Sequence, residues 1–104
     1  MHIIKIQEAE TQGIFSLSEE SFVFKDGRVQ GAKLGKNGGA LLVKEAQRFK
    51  LFSEGKDFLK ILEGNGHFKW KKGETPFAPG ECFEIEAAGE YEVNGSPKFL
   101  VVRK

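Results

Sequence analysis

Cysteine occurs once in the 104 residues, at position 82, so no disulfide closes within the chain and no cysteine cluster offers itself to zinc. Histidine is almost as scarce, and His2 and His67 stand too far apart in sequence to read as a metal site. A charge excess is also missing: sixteen basic and fifteen acidic residues leave a formal +1, too weak a field to draw in nucleic acid or an anionic membrane. No apolar run approaches the roughly 20 residues of a bilayer-spanning helix. The opening "MHIIKIQEAE" is broken at Lys5, where a secretory signal would keep a continuous apolar core. Ser16, Ser18, Ser21, Ser53 and Ser96 lack the setting of a nucleophile elbow, and "GAKLGKNGG" lacks the Gly-Lys-Ser/Thr ending of a phosphate loop. The expectation is a soluble, cytoplasmic homodimer with no metal, no other cofactor, no nucleic-acid partner and no membrane partner.

What the chain does have is phenylalanine, ten in all, set in short runs of β-forming residues that glycine turns interrupt. Residues 2–7 and 13–17 read as strands, and 21–32 as a hairpin about Asp26-Gly27. The glycine-rich 33–40 reads as a loop. Strands then follow at 40–46, 48–54, 57–63, 67–72, 81–87, 90–95 and 98–104, with Asn65-Gly66 marking a hairpin. "LLVKEAQRF" does not place its apolar residues in a helical stripe, so two strands are favoured there. Phe68 and Trp70 alternate with His67, Lys69 and Lys71, and Phe83 and Ile85 with Cys82, Glu84 and Glu86. Those four apolar side chains are assigned to the core. The organisation expected is one domain over 1–104, with N-terminal strands and a hairpin in 1–39 and a barrel core in 40–104.

The segment "FLKILEGNGHFKW" resembles the strand, glycine-turn, strand unit of the cupin superfamily, and "PGECFEIEAAGEYEV" resembles its Gly-Asp turn, strand and loop before the last strands, with Gly80-Glu81 at the Gly-Asp position. Over residues 40–104 the likeness is greatest to the C-terminal cupin domain of bacterial mannose-6-phosphate isomerases. The resemblance implies an all-β fold, a small double-stranded β-helix or jelly-roll barrel of antiparallel strands. It also implies where a metal would sit, and there the chain departs from the pattern. Asp57 falls at the glutamate position of the first motif, no histidine stands in "KLFS" at 50–53, and Glu90 or Glu92 takes the histidine position of the second motif. Carboxylates without imidazole make a poor transition-metal site. In those isomerases the zinc ligands and catalytic groups lie in another domain, so the resemblance does not carry the reaction with it.

The function expected is metal-independent binding of a small polar molecule, a sugar or sugar phosphate, with no catalytic residue assigned. The pocket candidates are Phe52, Asp57, Leu59, Trp70, Glu90 and Glu92, with carboxylates accepting hydroxyl hydrogen bonds between apolar walls. One alternative is an enzyme of the isomerase class in which desolvated Asp57 or Glu90 serves as base. Another is a structural or regulatory module, its barrel filled by phenylalanine, that forms a homodimer through "ALLV" or "FLVV". His67 reads as an exposed hairpin residue and Cys82 as a buried, inert thiol. Lys69, Lys71 and Lys72 around Trp70 read as a solvated strand face, since acids nearby offset them.

Overall fold

Period-two alternation, broken by glycines and a few other residues with positive φ, sets eleven strands among the described residues of the computed structural model, 1–11 and 13–103. They are β1 (His2–Ile6), β2 (Val23–Phe24), β3 (Lys33–Asn37), β4 (Ala40–Lys44), β5 (Arg48–Ser53) and β6 (Lys56–Glu63). The second half adds β7 (Gly66–Trp70), β8 (Gly73–Phe77), β9 (Cys82–Glu86), β10 (Gly89–Gly95) and β11 (Lys98–Arg103). One sheet has the order β1-β9-β6-β11-β4-β3-β2 and the other β5-β10-β7-β8, with every pairing antiparallel. From β4 onward the chain changes sheet at almost every step, which is the all-β double-stranded β-helix expected from the sequence.

The interior between the sheets is filled. Phe49, Phe68, Phe83, Tyr91, Phe99, Leu59, Ile61, Ile85, Val93 and Val101 are all buried there. Phe68 sits at the centre of an aromatic group, its ring centroid 4.9 Å from Phe83, 5.0 Å from Phe77 and 6.4 Å from Tyr91. Of the four core assignments, Phe68, Phe83 and Ile85 are fully enclosed, while Trp70 is half-buried at the edge of the same cluster.

A second core lies on the outer face of the large sheet. Ile14, Phe15, Phe22 and Phe24 pack down on Leu42, Phe58, Leu62, Cys82, Leu100 and Val102. Ion pairs from Lys60 to Glu8 (2.9 Å) and from Lys98 to Glu19 (2.5 Å) tie this N-terminal cover to β6 and β11. Residues 13–17 are therefore a turn and an extended segment, not a strand, because their apolar side chains cap a sheet face instead of pairing with its edge. The same cover hides β4 and β11, so "ALLV" and "FLVV" are central strands and do not present a dimerisation surface.

Other local expectations are also corrected. Asn65-Gly66 does not close a hairpin: β6 pairs with β9 and β11, whereas β7 pairs with β8 and β10, so the chain crosses between sheets there. Glycine is required because this crossing runs against the one at 95–97. A Cβ on Gly66 would strike the Asn94 carbonyl oxygen, and one on Gly95 would lie 2.5 Å from the Asn65 carbonyl oxygen. Residues 33–37 form strand β3, not a loop, since Gly35 provides the flat seat for the Phe24 ring. The hairpin of 21–32 widens: β2 pairs with β3, and the tight turn lies at Gln30-Gly31 between the bridged Val29 and Ala32. Strand β8, unread in the sequence, is an edge strand that tolerates Pro76. Position 104, the end of the last expected strand, lies outside the described residues.

Candidate functional site

The turn from β7 into β8 and the bend from β9 into β10 meet around a shallow depression of about 410 Å³ lined by Lys69, Trp70, Lys71, Ala88, Gly89, Glu90 and Glu92. Glu90 and Glu92 face outward because Tyr91 and Val93, alternating with them on β10, face the core. Register sets Glu92 between Lys50 and Lys69, and Glu90 beside Phe52. Glu92 accepts a hydrogen bond from the Asn94 amide at 3.2 Å and lies 3.7 Å from Arg48. Among the described residues Glu90 has no ion pair, which leaves its carboxylate available. Trp70 packs one side on the core, and the Lys72 ammonium stands 5.9 Å from its ring centroid. The depression thus combines an indole, two carboxylates and two ammonium groups, a donor and acceptor set suited to a polyhydroxylated or phosphorylated small molecule.

The six residues chosen from sequence do not share one cavity. Trp70, Glu90 and Glu92 come together in the depression, and Phe52 lies beside Glu90 on the outer face, 54% exposed. Asp57 and Leu59 point the other way, into the barrel. The alternation Phe49, Leu51, Ser53 turns Phe52 outward, just as Tyr91 and Val93 turn the glutamates outward. That parity could be read in the sequence, as could Lys69 and Lys71 beside Trp70, whereas their meeting with Glu90 and Glu92 comes only from the fold.

Asp57 is 4% exposed. It accepts a 3.4 Å hydrogen bond from the Tyr91 hydroxyl and faces Arg103, its register partner on β11. Burial pushes the carboxyl above the usual carboxylate range, against the pull of the Arg103 guanidinium and the Tyr91 hydroxyl. Burial and the adjacent Asp57 also raise the Tyr91 phenol far above its ordinary value. Arg103 donates to the Phe52 carbonyl at 3.1 Å, bracing this end of the barrel. A raised carboxyl pKa suits a general base, but Asp57 is itself buried and its carboxylate faces the Tyr91 hydroxyl.

The residues that could ligate a metal lie elsewhere. On the outer face of the large sheet, His2, Glu84 and Glu86 bring ligand atoms within 4.8 Å of one another. His2 Nε2 is 2.6 Å from Glu84 Oε2 and 3.7 Å from Glu86 Oε1, while the Lys56 ammonium lies 3.7 Å from Glu84 Oε1. The trio reads as a paired surface charge cluster that links β1 to β9. His67 on β7 faces Glu74 at 3.3 Å.

No protein-family model matches this chain, and no curated protein matches it in sequence. Solved structures do share its fold. Mannose 6-phosphate isomerase from Bacillus subtilis superposes with a TM-score of 0.62 at 14% identity, over 80% of this chain and 28% of that one. A single-substitution variant of phosphomannose isomerase from Salmonella typhimurium gives 0.61 at 16% identity, over 80% and 23%. A protein of unknown function from Vibrio parahaemolyticus, VPA0057, gives 0.56 at 15% identity, over 79% of this chain and 97% of that domain. The chain therefore has a cupin-like fold and spans about a quarter of the length of the isomerases it matches.

Proposed function

We propose that the protein is a cupin-like binding module that takes a sugar or sugar phosphate at its surface, without metal and without catalysing a reaction on it. The observation that carries this reading is the grouping of Trp70, Glu90 and Glu92 with Lys69 and Lys71 in one depression. An indole can support the apolar face of a sugar ring, the carboxylates accept its hydroxyl hydrogen bonds, and the ammonium groups suit a phosphate. The barrel interior, where ligands of small barrels are often held, is closed by phenylalanine and tyrosine side chains. Likeness in fold to these isomerases supports the architecture alone, and the weight of the proposal rests on the site. The test is thermal denaturation with a panel of hexoses and hexose phosphates. A ligand that raises the melting temperature of the native protein, and not that of the Glu90→Gln/Glu92→Gln variant, supports the reading. An equal response from both proteins removes this depression as the site.

The filled interior also supports a second reading, a structural module that pairs with a second copy. Its free edges are β1, where Ile4 is exposed, β2 and β8. Sedimentation at several protein concentrations separates the two readings, since the binding module needs no self-association.

A further inference from the structure

The loop from Lys25 to Ala32 leaves β2, reaches β5 of the other sheet and returns as β3. It is held in place. The Gln30 side-chain amide donates to the Lys50 carbonyl at 2.9 Å and accepts from the Lys50 N–H at 2.7 Å, so one side chain acts as an extra strand residue on the edge of β5. Arg28 donates to the Gly31 carbonyl at 3.1 Å and pairs with Glu45 at 2.8 Å. Behind this clamped loop is a cavity of about 290 Å³ lined by Val23, Lys25, Asp26, Gly27, Arg28, Val29, Leu34 and Lys36.

Its walls divide into two chemistries. Leu34 packs against the inter-sheet core, and Val23, paired with Lys36 across β2 and β3, lies on the same side. Val23 and Val29 are 69% and 45% exposed and line the cavity with apolar surface. The charged rim is Lys25, Arg28 and Lys36 against Asp26. Arg28 is committed to Glu45, but among the described residues Lys25 and Lys36 have no carboxylate partner. An apolar floor with two free ammonium groups at its mouth complements an anion that carries a small apolar body. The volume is at the small end for ligand cavities, enough for one ring.

We infer that this side cavity is a second binding site, for a small organic anion: a carboxylate or phosphate monoester attached to a ring or short hydrocarbon chain. The anionic group meets Lys25 and Lys36, and the apolar body covers Val23, Val29 and Leu34. The clamp through Gln30 and Arg28 prepares the site before the ligand arrives, so little ordering cost opposes binding. This site is independent of the Trp70 depression and shares no residue with it.

The experiment is amide-resolved NMR titration of the whole protein with three probes: phenyl phosphate, inorganic phosphate and benzyl alcohol. Phenyl phosphate should give saturable shifts centred on Gly27, Val29 and Leu34, with inorganic phosphate and benzyl alcohol each at least about tenfold weaker. Lys36→Ala should weaken phenyl phosphate about five- to tenfold, and Val29→Ser by a similar factor, with the remaining spectrum unchanged. Equal binding of phenyl phosphate and inorganic phosphate would overturn the inference, because the apolar floor would then play no part. So would shifts centred on Trp70 and Lys71, or the absence of saturable change at the loop.

Discussion

Replacing Phe68 by Ala tests whether the barrel is packed solid. The side chain is fully buried and touches the rings of Phe77, Phe83 and Tyr91, at centroid distances of 5.0, 4.9 and 6.4 Å. Truncating a buried phenylalanine costs about 3–5 kcal/mol through lost transfer energy and the cavity left behind. Three aromatic neighbours that lose a partner put Phe68 toward the upper end, about 4–5 kcal/mol. For a domain of this size that corresponds to a fall of about 15–30 °C in melting temperature. Phe52→Ala is the matched control: its ring is 54% exposed on the outer face, and its loss should stay within about 0.5–1 kcal/mol. Urea unfolding gives both values, and an unchanged slope shows that the variant differs in stability and not in how it unfolds. A Phe68→Ala loss below about 1.5 kcal/mol at constant slope would refute the reasoning, since it would mean that the interior has room to collapse or was never filled.

Three further outcomes follow from the geometry. Gly66→Ala drives a methyl group onto the Asn94 carbonyl at the crossing of two chain segments, and should cost about 2–4 kcal/mol in chemical denaturation. Gly27→Asn, with open space around its Cβ and a φ of +90° that Asn tolerates, should cost less than about 1 kcal/mol; equal losses would show that the crossing is not tight. Asp57 has a raised carboxyl pKa in the folded state, so the unfolded chain ionises first as pH rises. Its contribution is neutral well below the ordinary carboxylate range and becomes a penalty that is complete above the raised value. Asp57→Asn removes that penalty, and its melting temperature relative to the native protein should climb from pH 3 to pH 7; a flat or falling difference contradicts the assignment. Cys82 is 2% exposed, and burial, helped by Glu8, raises its thiol pKa against the pull of Lys60. It should react with a disulfide reagent only through opening of the N-terminal cover, faster as urea is added. Reaction at the rate of a free thiol in the native state would mean that the cover does not close.

Strand positions were legible because alternation is local: Phe68 against Lys69 and Phe83 against Glu84 state which side is dry without knowledge of the partner strand. Which sheet a strand joins is not local. Asn65-Gly66 carries hairpin chemistry, yet the turn lies at a crossing where Gly64 is needed for clearance from Ser96 and Pro97 and Gly66 for clearance from Asn94. Gly35 looked like loop material because the reason for it, the Phe24 ring, lies eleven positions earlier in the chain. Ile14 and Phe15 were read correctly as apolar and wrongly as a strand, since covering a sheet face uses the same residues as joining one. Of the residues chosen from sequence, Glu90 and Glu92 share a face with each other, but placing Asp57 with them ignored the parity that turns Asp57 inward and these two residues outward. The clamp made by Gln30 on Lys50 has no sequence signature, because it joins residues from a loop and from a strand of the opposite sheet.

Trp70 is the only tryptophan in the chain and stands in the proposed sugar site, so its fluorescence reports on that site. The most direct measurement is a titration of the native protein with hexoses and hexose phosphates, followed by Trp70 emission, in chelator and again with added Mn²⁺, Zn²⁺ or Ni²⁺. A metal-independent sugar site gives a saturable change for one sugar class with the same midpoint in chelator and in metal. No saturable change for any sugar, or one that appears only when metal is added, would contradict it.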